Sequence, residues 1–320
     1  MNQSIFSSIA ATRHSHIVPI RNDGEGVPFF CFPGSDADIG VFREMAAALP
    51  GQQPVYTIDM TWLCDAKEEF TIEQFASFYL SAIRKIQATG PYYFCGYSFG
   101  GLVAYEMAMQ LIDAGDGADL VALLDAPNPA FLSNLSATDS VQFHKTYLID
   151  RLKKYGRLLM RADIKAMTHE GLAFVVSRLG RFFIPVLKIG SRIVNRPLPV
   201  MLRANDPTSG FLKAWRTYVP KRYAKSVVFF RTQDRGPEYD RDPSMGWGAC
   251  VMGDIQIHIV PGGHLDMMSM PAVGVIAEKL ATYLGHGANY RPSELNDPPD
   301  GEPSSQNRSL KQIKHPLPDL

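Results

Sequence analysis

The sequence predicts an α/β domain with a mostly parallel central sheet, helices on both faces and a helical lid insertion. Three observations carry this prediction. Short apolar runs alternate with helix-period segments from residue 27 to residue 125. One strand-to-helix junction in that stretch reads Gly96-Tyr97-Ser98-Phe99-Gly100-Gly101. The rhythm then gives way to purely helical periodicity over 126–223 before β-branched strands resume at 226–231 and 255–260.

Residues 1–15 read as a loose leader, polar and mixed, with no apolar stretch long enough for a signal peptide. A first strand is expected at 16–20 and a second at 27–32, the latter ending in the turn Pro33-Gly34-Ser35-Asp36. A helix is expected at 39–49 and a short strand at 55–59. Thr71-Ile72-Glu73-Gln74 has the form of a capping box, and the helix it opens carries Phe75, Phe78, Tyr79, Ala82, Ile83 and Ile86 on one side. Residues 91–97 form an aromatic-rich run of strand length. Leu102, Val103, Met107, Ala108, Leu111 and Ile112 then recur at helical spacing up to Gly115. A strand at 120–124 ends at Asp125.

Within 126–223, helix-period apolar residues fall at 141–155, 169–183 and 211–219, with aromatic and basic residues interspersed. Such an insertion either only covers the sheet or forms a mobile lid over an extended apolar substrate; its place beside the strand ends favours the lid. After the last two strands, 272–284 reads as a closing helix. The main domain is therefore expected over 16–285. Residues 286–320, rich in Pro, Ser, Asn, Asp and charge, are expected to be a disordered tail, with the basic cluster at 311–315 solvated.

Composition narrows the functional classes. Apolar residues make up 46% of the 320, enough for a substantial core. Lys plus Arg balances Asp plus Glu at 32 each, so nothing calls for a nucleic-acid partner. Cys31, Cys64, Cys95 and Cys250 are scattered without metal-ligand spacing, and two of them fall in core strands. Buried free thiols in a reducing cytoplasm, and no bound metal, are the simplest expectation. The most apolar stretch, 172–194, is interrupted by Arg178, Arg181, Lys188 and Arg192, so no membrane insertion is expected.

The chemistry centres on Ser98. Glycines two before and two after it let the backbone reverse sharply between strand and helix, which projects the hydroxyl from the sheet edge. The same turn puts Ser98 at a helix amino end, where free amides can stabilise an oxyanion. A serine hydroxyl needs a base at neutral pH. Of eight histidines, His264 is best placed, because Pro261-Gly262-Gly263 brings it off the last strand at the edge that holds Ser98. His258 lies inside that strand, while His144 and His169 lie in the insertion. The base in turn needs a carboxylate. Asp125 and Asp234 both follow strands after the serine, and Asp59 follows an earlier one; the pattern leaves Asp125 and Asp234 tied.

Four segments, Phe30-Cys31-Phe32-Pro33-Gly34, Gly96-Tyr97-Ser98-Phe99-Gly100-Gly101, Leu123-Leu124-Asp125-Ala126-Pro127 and Val260-Pro261-Gly262-Gly263-His264, occur in the order and rough spacing of known domains. They resemble the α/β-hydrolase thioesterases that end or accompany non-ribosomal peptide, polyketide and fatty-acid synthases. Trp247 and Met267-Met268 are similar to that family as well. The resemblance covers about residues 16–285, with the lid matched in position only. It implies the triad Ser98, Asp125 and His264, since the family's acid follows the strand beside the nucleophile's. It also implies an oxyanion hole of backbone amides from Phe99 and the Gly34–Ser35 turn, although no histidine precedes Gly34 and Asp36 and Asp38 add negative charge there.

The activity so implied is release of an acyl or peptidyl chain from a phosphopantetheine arm, by hydrolysis or cyclisation through an acyl-enzyme. No cofactor of the protein's own is needed, and the expected partner is an acyl or peptidyl carrier protein or its synthase. A chain starting at Met1 suggests a discrete enzyme, with a separated terminal domain of a synthase as the alternative. Two other readings compete: a general carboxylester hydrolase or lipase of the same fold dependent on Asp234, and an idle hydrolase fold used for binding.

Overall fold

The computed structural model describes residues 16–23, 26–51, 53–61, 70–136, 210–235 and 238–284. The leader, the tail, the lid helices expected at 141–155 and 169–183, His144, His169 and Cys64 lie outside the described residues.

Seven strands form one sheet: β1 (Ile17–Arg21), β2 (Phe29–Phe32), β3 (Val55–Ile58), β4 (Tyr92–Tyr97), β5 (Ala118–Leu124), β6 (Val227–Thr232) and β7 (Ile255–Val260). Their order is β1-β3-β2-β4-β5-β6-β7. β1 runs antiparallel to β3, and every other pairing is parallel. The described helices are α1 (Arg43–Ala48), α2 (Ile72–Ile83), α3 (Phe99–Asp113), α4 (Pro129–Ser133), α5 (Gly210–Thr217), α6 (Glu238–Arg241) and α7 (Ala272–Leu284).

Strand alternation sorts the interior into two layers. Phe30, Phe32, Phe94, Leu123 and Phe229 point to one face and pack with Phe75, Tyr79, Leu102, Val103 and Tyr105 of α2 and α3. Phe29, Cys31, Tyr93, Cys95, Ala122, Leu124 and Phe230 point to the other, against Met45 of α1 and Ile276 and Leu280 of α7. A sheet covered on both sides needs apolar residues at consecutive positions, which is why β4 is buried along its whole length. Each large side chain so buried contributes about 1.5–3 kcal/mol.

Element ends differ modestly from the sequence expectation. The helix expected at 39–49 is shortened to Arg43–Ala48, because 39–42 form turns, with Gly40 N–H bonded to the Asp38 carboxylate at 2.8 Å. α2 starts where its capping box places it: Gln74 N–H donates to Thr71 Oγ1 at 3.3 Å and Thr71 N–H to Gln74 Oε1 at 3.0 Å. It ends at Ile83, leaving Ile86 beyond the helix and 44% exposed. The helix expected at 211–219 is found as α5.

The register brings the carboxyl ends of the parallel strands level. Phe32 pairs with Gly96, Tyr97 with Leu124, and Thr232 with Val260. The residues that follow these ends sit in a row along one edge, where parallel α/β sheets place their sites.

Candidate active site

Ser98 occupies the turn between β4 and α3 at φ 53° and ψ −118°. Positive φ in a non-glycine residue costs on the order of 1–3 kcal/mol and persists only where its surroundings enforce it. Here the flanking glycines do so. A Cβ on Gly96 would overlap the carbonyl of Gly100, and a Cβ on Gly100 would overlap the carbonyl of Phe32 at the end of β2. The turn therefore closes on itself and rests against the neighbouring strand. The Ser98 amide donates to the Leu124 carbonyl at 2.9 Å, fixing the turn beside the residue that precedes Asp125.

Asp125 follows β5 directly, also with positive φ (47°), and its amide donates to the Phe230 carbonyl at 2.7 Å. The chain beyond it is clamped from the 245–247 segment. Trp247 Nε1–H donates to the Ala126 carbonyl at 2.7 Å, and Asn128 N–H to the Met245 carbonyl at 3.0 Å. The Asp125 carboxylate is fully buried and gathers several donors. Thr232 Oγ1 donates to Oδ2 at 3.2 Å, Arg235 forms an ion pair with the same oxygen, and His264 Nδ1 lies 2.7 Å from it. Burial alone would push this carboxyl up. The Arg235 charge, together with the His264 hydrogen bond, outweighs burial and holds it well below the usual carboxylate range.

His264 opens a single 3₁₀ turn (His264–Asp266) after Pro261-Gly262-Gly263. Its ring stacks on that of Tyr97, with centroids 5.0 Å apart and planes at 23°. Tyr97 Oη–H donates to the His264 carbonyl at 2.8 Å. The residue immediately before Ser98 thus holds both the ring and the backbone of the histidine. The Arg235 guanidinium lies 3.1 Å from His264 Nδ1.

The structure thus joins Asp125 to His264 and sets both beside the Ser98 turn through Leu124 and Tyr97. It separates the rival carboxylates. Asp234 is an exposed residue whose amide donates to the Gly262 carbonyl at 3.0 Å. Asp59 follows β3, which β2 and β4 separate from β5, and its carboxylate accepts from Thr61 at 2.6 Å. His258 lies in β7, where Nε2 is 2.7 Å from Tyr283 Oη.

The amide of Phe99, at the first position of α3, is among those that a helix ladder leaves over at its amino end. Gly34 is buried next to the Tyr97 ring, and its carbonyl accepts from Ala37 N–H at 3.0 Å; Ser35 beside it is exposed. Among the described residues, no group of three or more His, Cys, Asp or Glu side chains is arranged to hold a metal ion. No helix among them is long and apolar enough to cross a membrane.

Sequence reasoning passed over Thr232, Arg235 and Tyr97. Thr232 ends β6 and Arg235 follows Asp234 in the loop beyond it, so a basic residue in a strand-end loop was the available signal. Nothing local marks Tyr97 as more than a strand residue, because its partner is far along the chain.

Comparison with known proteins gives the family and the fold. The model of the family described as "Thioesterase domain" matches residues 27–283. Malpinin synthetase of Mortierella alpina is 37% identical over 268 residues, covering 82% of this chain and 3% of that protein. The non-reducing polyketide synthase crz7 of Cladonia metacorallifera is 26% identical over 299 residues, covering 89% of this chain and 13% of that protein. The chain thus spans a small part of the curated relatives it matches. Among solved structures, the NocB thioesterase domain in covalent complex with a fluorophosphonate nocardicin G analog is similar at a TM-score of 0.56 and 17% identity, covering 84% of this chain and 99% of that one. The RedJ thioesterase from the prodiginine pathway of Streptomyces coelicolor is similar at 0.54 and 17%, covering 81% and 90%. These likenesses show the α/β-hydrolase fold, and the family match over most of its length shows that the chain belongs to the thioesterase-domain family.

Proposed function

We propose that this protein is a serine thioesterase that releases an acyl or peptidyl chain from the phosphopantetheine arm of a carrier protein. The observation that carries the reading is the fully buried Asp125 carboxylate 2.7 Å from His264 Nδ1, beside a strained Ser98 turn. In this reading Ser98 is the nucleophile, His264 the base and Asp125 the acid that orients it.

Asp125, held charged, accepts a hydrogen bond from His264 Nδ1–H, which leaves the Nε2 lone pair free to take the serine proton. Ser98 Oγ attacks the thioester carbonyl, and the resulting oxyanion is met by the Phe99 amide and an amide of the Gly34–Ser35 turn. The tetrahedral intermediate collapses by breaking the C–S bond. The imidazolium supplies a proton to the departing pantetheine thiolate, leaving an acyl-enzyme. Thiolate departs readily, so this step demands less of the acid than amide cleavage. His264 then activates water or an internal nucleophile of the chain, which gives an acid or a ring. The lid region decides between them by admitting or excluding water.

No cofactor of the protein's own enters these steps. The partner is a carrier protein or the synthase that bears one, and the setting is cytoplasmic. The polyketide synthase and the malpinin synthetase among the relatives support the choice of partner. Incubation with a panel of acyl-pantetheine thioesters, followed by intact-protein mass spectrometry, tests the reading. An acyl adduct on the wild type and none on Ser98→Ala is expected. Turnover retained by Ser98→Ala would remove the serine mechanism altogether.

A further inference from the structure

In the first turn of α3, Phe99-Gly100-Gly101, Phe99 alone carries a side chain. The glycines seat that turn against its neighbours: a Cβ on Gly100 would overlap the Phe32 carbonyl, and one on Gly101 the Ala126 side chain. The Phe99 ring meets two others edge to face. Phe75 of α2 lies 6.4 Å away between centroids at 75°, and Phe211 of α5 lies 5.0 Å away at 81°. All three rings are buried. Pairs of this geometry gain from the ring quadrupoles as well as from burial, so they favour one orientation over others.

The segment that supplies Phe211 runs alongside α3. Just past α5, Tyr218 Oη donates to Glu106 Oε2 at 3.0 Å, and Tyr105 Oη donates to the Lys221 carbonyl at 2.8 Å. Phe211 thus meets α3 at its amino end and Tyr218 about two turns further on, both chains running the same way.

We propose that Phe211 is a positioning residue for the oxyanion hole: by seating the Phe99 ring it fixes the aim of the Phe99 amide. The inference rests on the reading of Ser98 as nucleophile and of that amide as an oxyanion donor. Such a donor is effective where it already points at the place the oxyanion will occupy, about 2.7–3.1 Å away. Amide and ring share one Cα, so a ring free to shift carries the amide with it. The loss then falls on the transition state, because the thioester carbonyl bears little charge before attack.

The test uses an alkyl trifluoromethyl ketone with the chain of the acyl-pantetheine that the protein turns over fastest. Ser98 Oγ adds to its carbonyl carbon, the serine proton passes to His264 Nε2, and the carbonyl oxygen becomes an oxyanion. Its inhibition constant reads the oxyanion donors, whereas KM for the thioester reads ground-state binding. Phe211→Leu keeps apolar bulk without a ring edge. It is expected to lower kcat about tenfold with KM changed less than about twofold, loss of a whole donor costing about 10²–10³. The inhibition constant is expected to rise about tenfold as well. Phe211→Met, which fills the space flexibly, is expected to show the same split and takes the place of a leucine variant that does not fold. Tyr218→Phe is the control. It removes the hydrogen bond to Glu106 while Tyr105 still holds the segment, and is expected to lower the thermal midpoint with kcat and inhibition constant within about twofold.

An unchanged inhibition constant in the Phe211 variants would overturn the proposal. So would a raised KM with kcat held, which would set Phe211 against the acyl chain, or an equal weakening in Tyr218→Phe, which would make the effect one of general stability. The underlying reading fails separately: a carbonyl-labelled ketone that gives no hemiketal signal in carbon NMR of the wild type would remove the serine mechanism itself.

Discussion

Tyr97 and His264, distant in sequence, are joined twice: the rings stack at 5.0 Å, and the phenol donates to the histidine carbonyl at 2.8 Å. The link ties the strand that delivers Ser98 to the loop that delivers His264, so movement of one is felt by the other. Tyr97→Phe removes the hydrogen bond and keeps the stacked ring. We expect a loss of about 0.5–1.5 kcal/mol in urea unfolding. Turnover of a pantetheine thioester should fall several-fold with little change in KM, since the loss concerns orientation. Tyr97→Leu, which removes the ring as well, should lower kcat further.

The two strand-end carboxylates separate sharply by variant. Asp125→Asn removes the group that orients His264 and should lower kcat about 10⁴-fold. Asp234→Asn alters an exposed residue and should change kcat less than about twofold. Steady-state assays on both, at one pH and with the same acyl-pantetheine, decide the matter. The opposite order would assign the acid to the end of β6.

Gly96 faces the Gly100 carbonyl so closely that a methyl group has no room. Gly96→Ala must displace backbone on both sides of Ser98. It should destabilise the fold by about 3 kcal/mol or more, near the upper end for overpacked sites. Thermal unfolding measures this. A soluble Gly96→Ala protein of wild-type midpoint would show that the turn has slack its geometry denies.

Stability should also depend on pH through Asp125. Arg235 and His264 make the folded carboxyl a stronger acid than the unfolded one, despite burial. A depressed folded value adds stability above the ordinary carboxylate range, about pH 4. That contribution drains away as pH falls through this range toward the lower folded value. Urea midpoints between pH 7 and pH 3 should therefore fall more steeply for the wild type than for Asp125→Asn. The variant itself should be weaker at pH 7, because Arg235 is left buried without its anion.

Much of this molecule was legible in the chain. Strand positions followed from apolar runs of the right length, and α2 from a capping box that the structure reproduces atom for atom. α7 was read to the residue, because its helical period is uninterrupted from 272 to 284. The helix expected at 39–49 was overread, since Asp38 and Gly40 form a local turn that period alone does not register.

By itself the sequence determined the order of strands and helices, the sharp turn at Ser98, and a late histidine on a strand-end loop. These rest on local physics: side-chain period, glycine freedom and capping, each contained within a few neighbouring residues. The chain's own pattern left Asp125 and Asp234 tied, and the resemblance alone implied Asp125; the tertiary structure shows that Asp125 meets that histidine and which residues hold them both. Strand order and register, set by packing between distant segments, bring Asp125, Thr232, Arg235 and His264 to one buried point. Coulomb and hydrogen-bond energies depend on distances of a few ångströms through space, and no spacing along the chain encodes them.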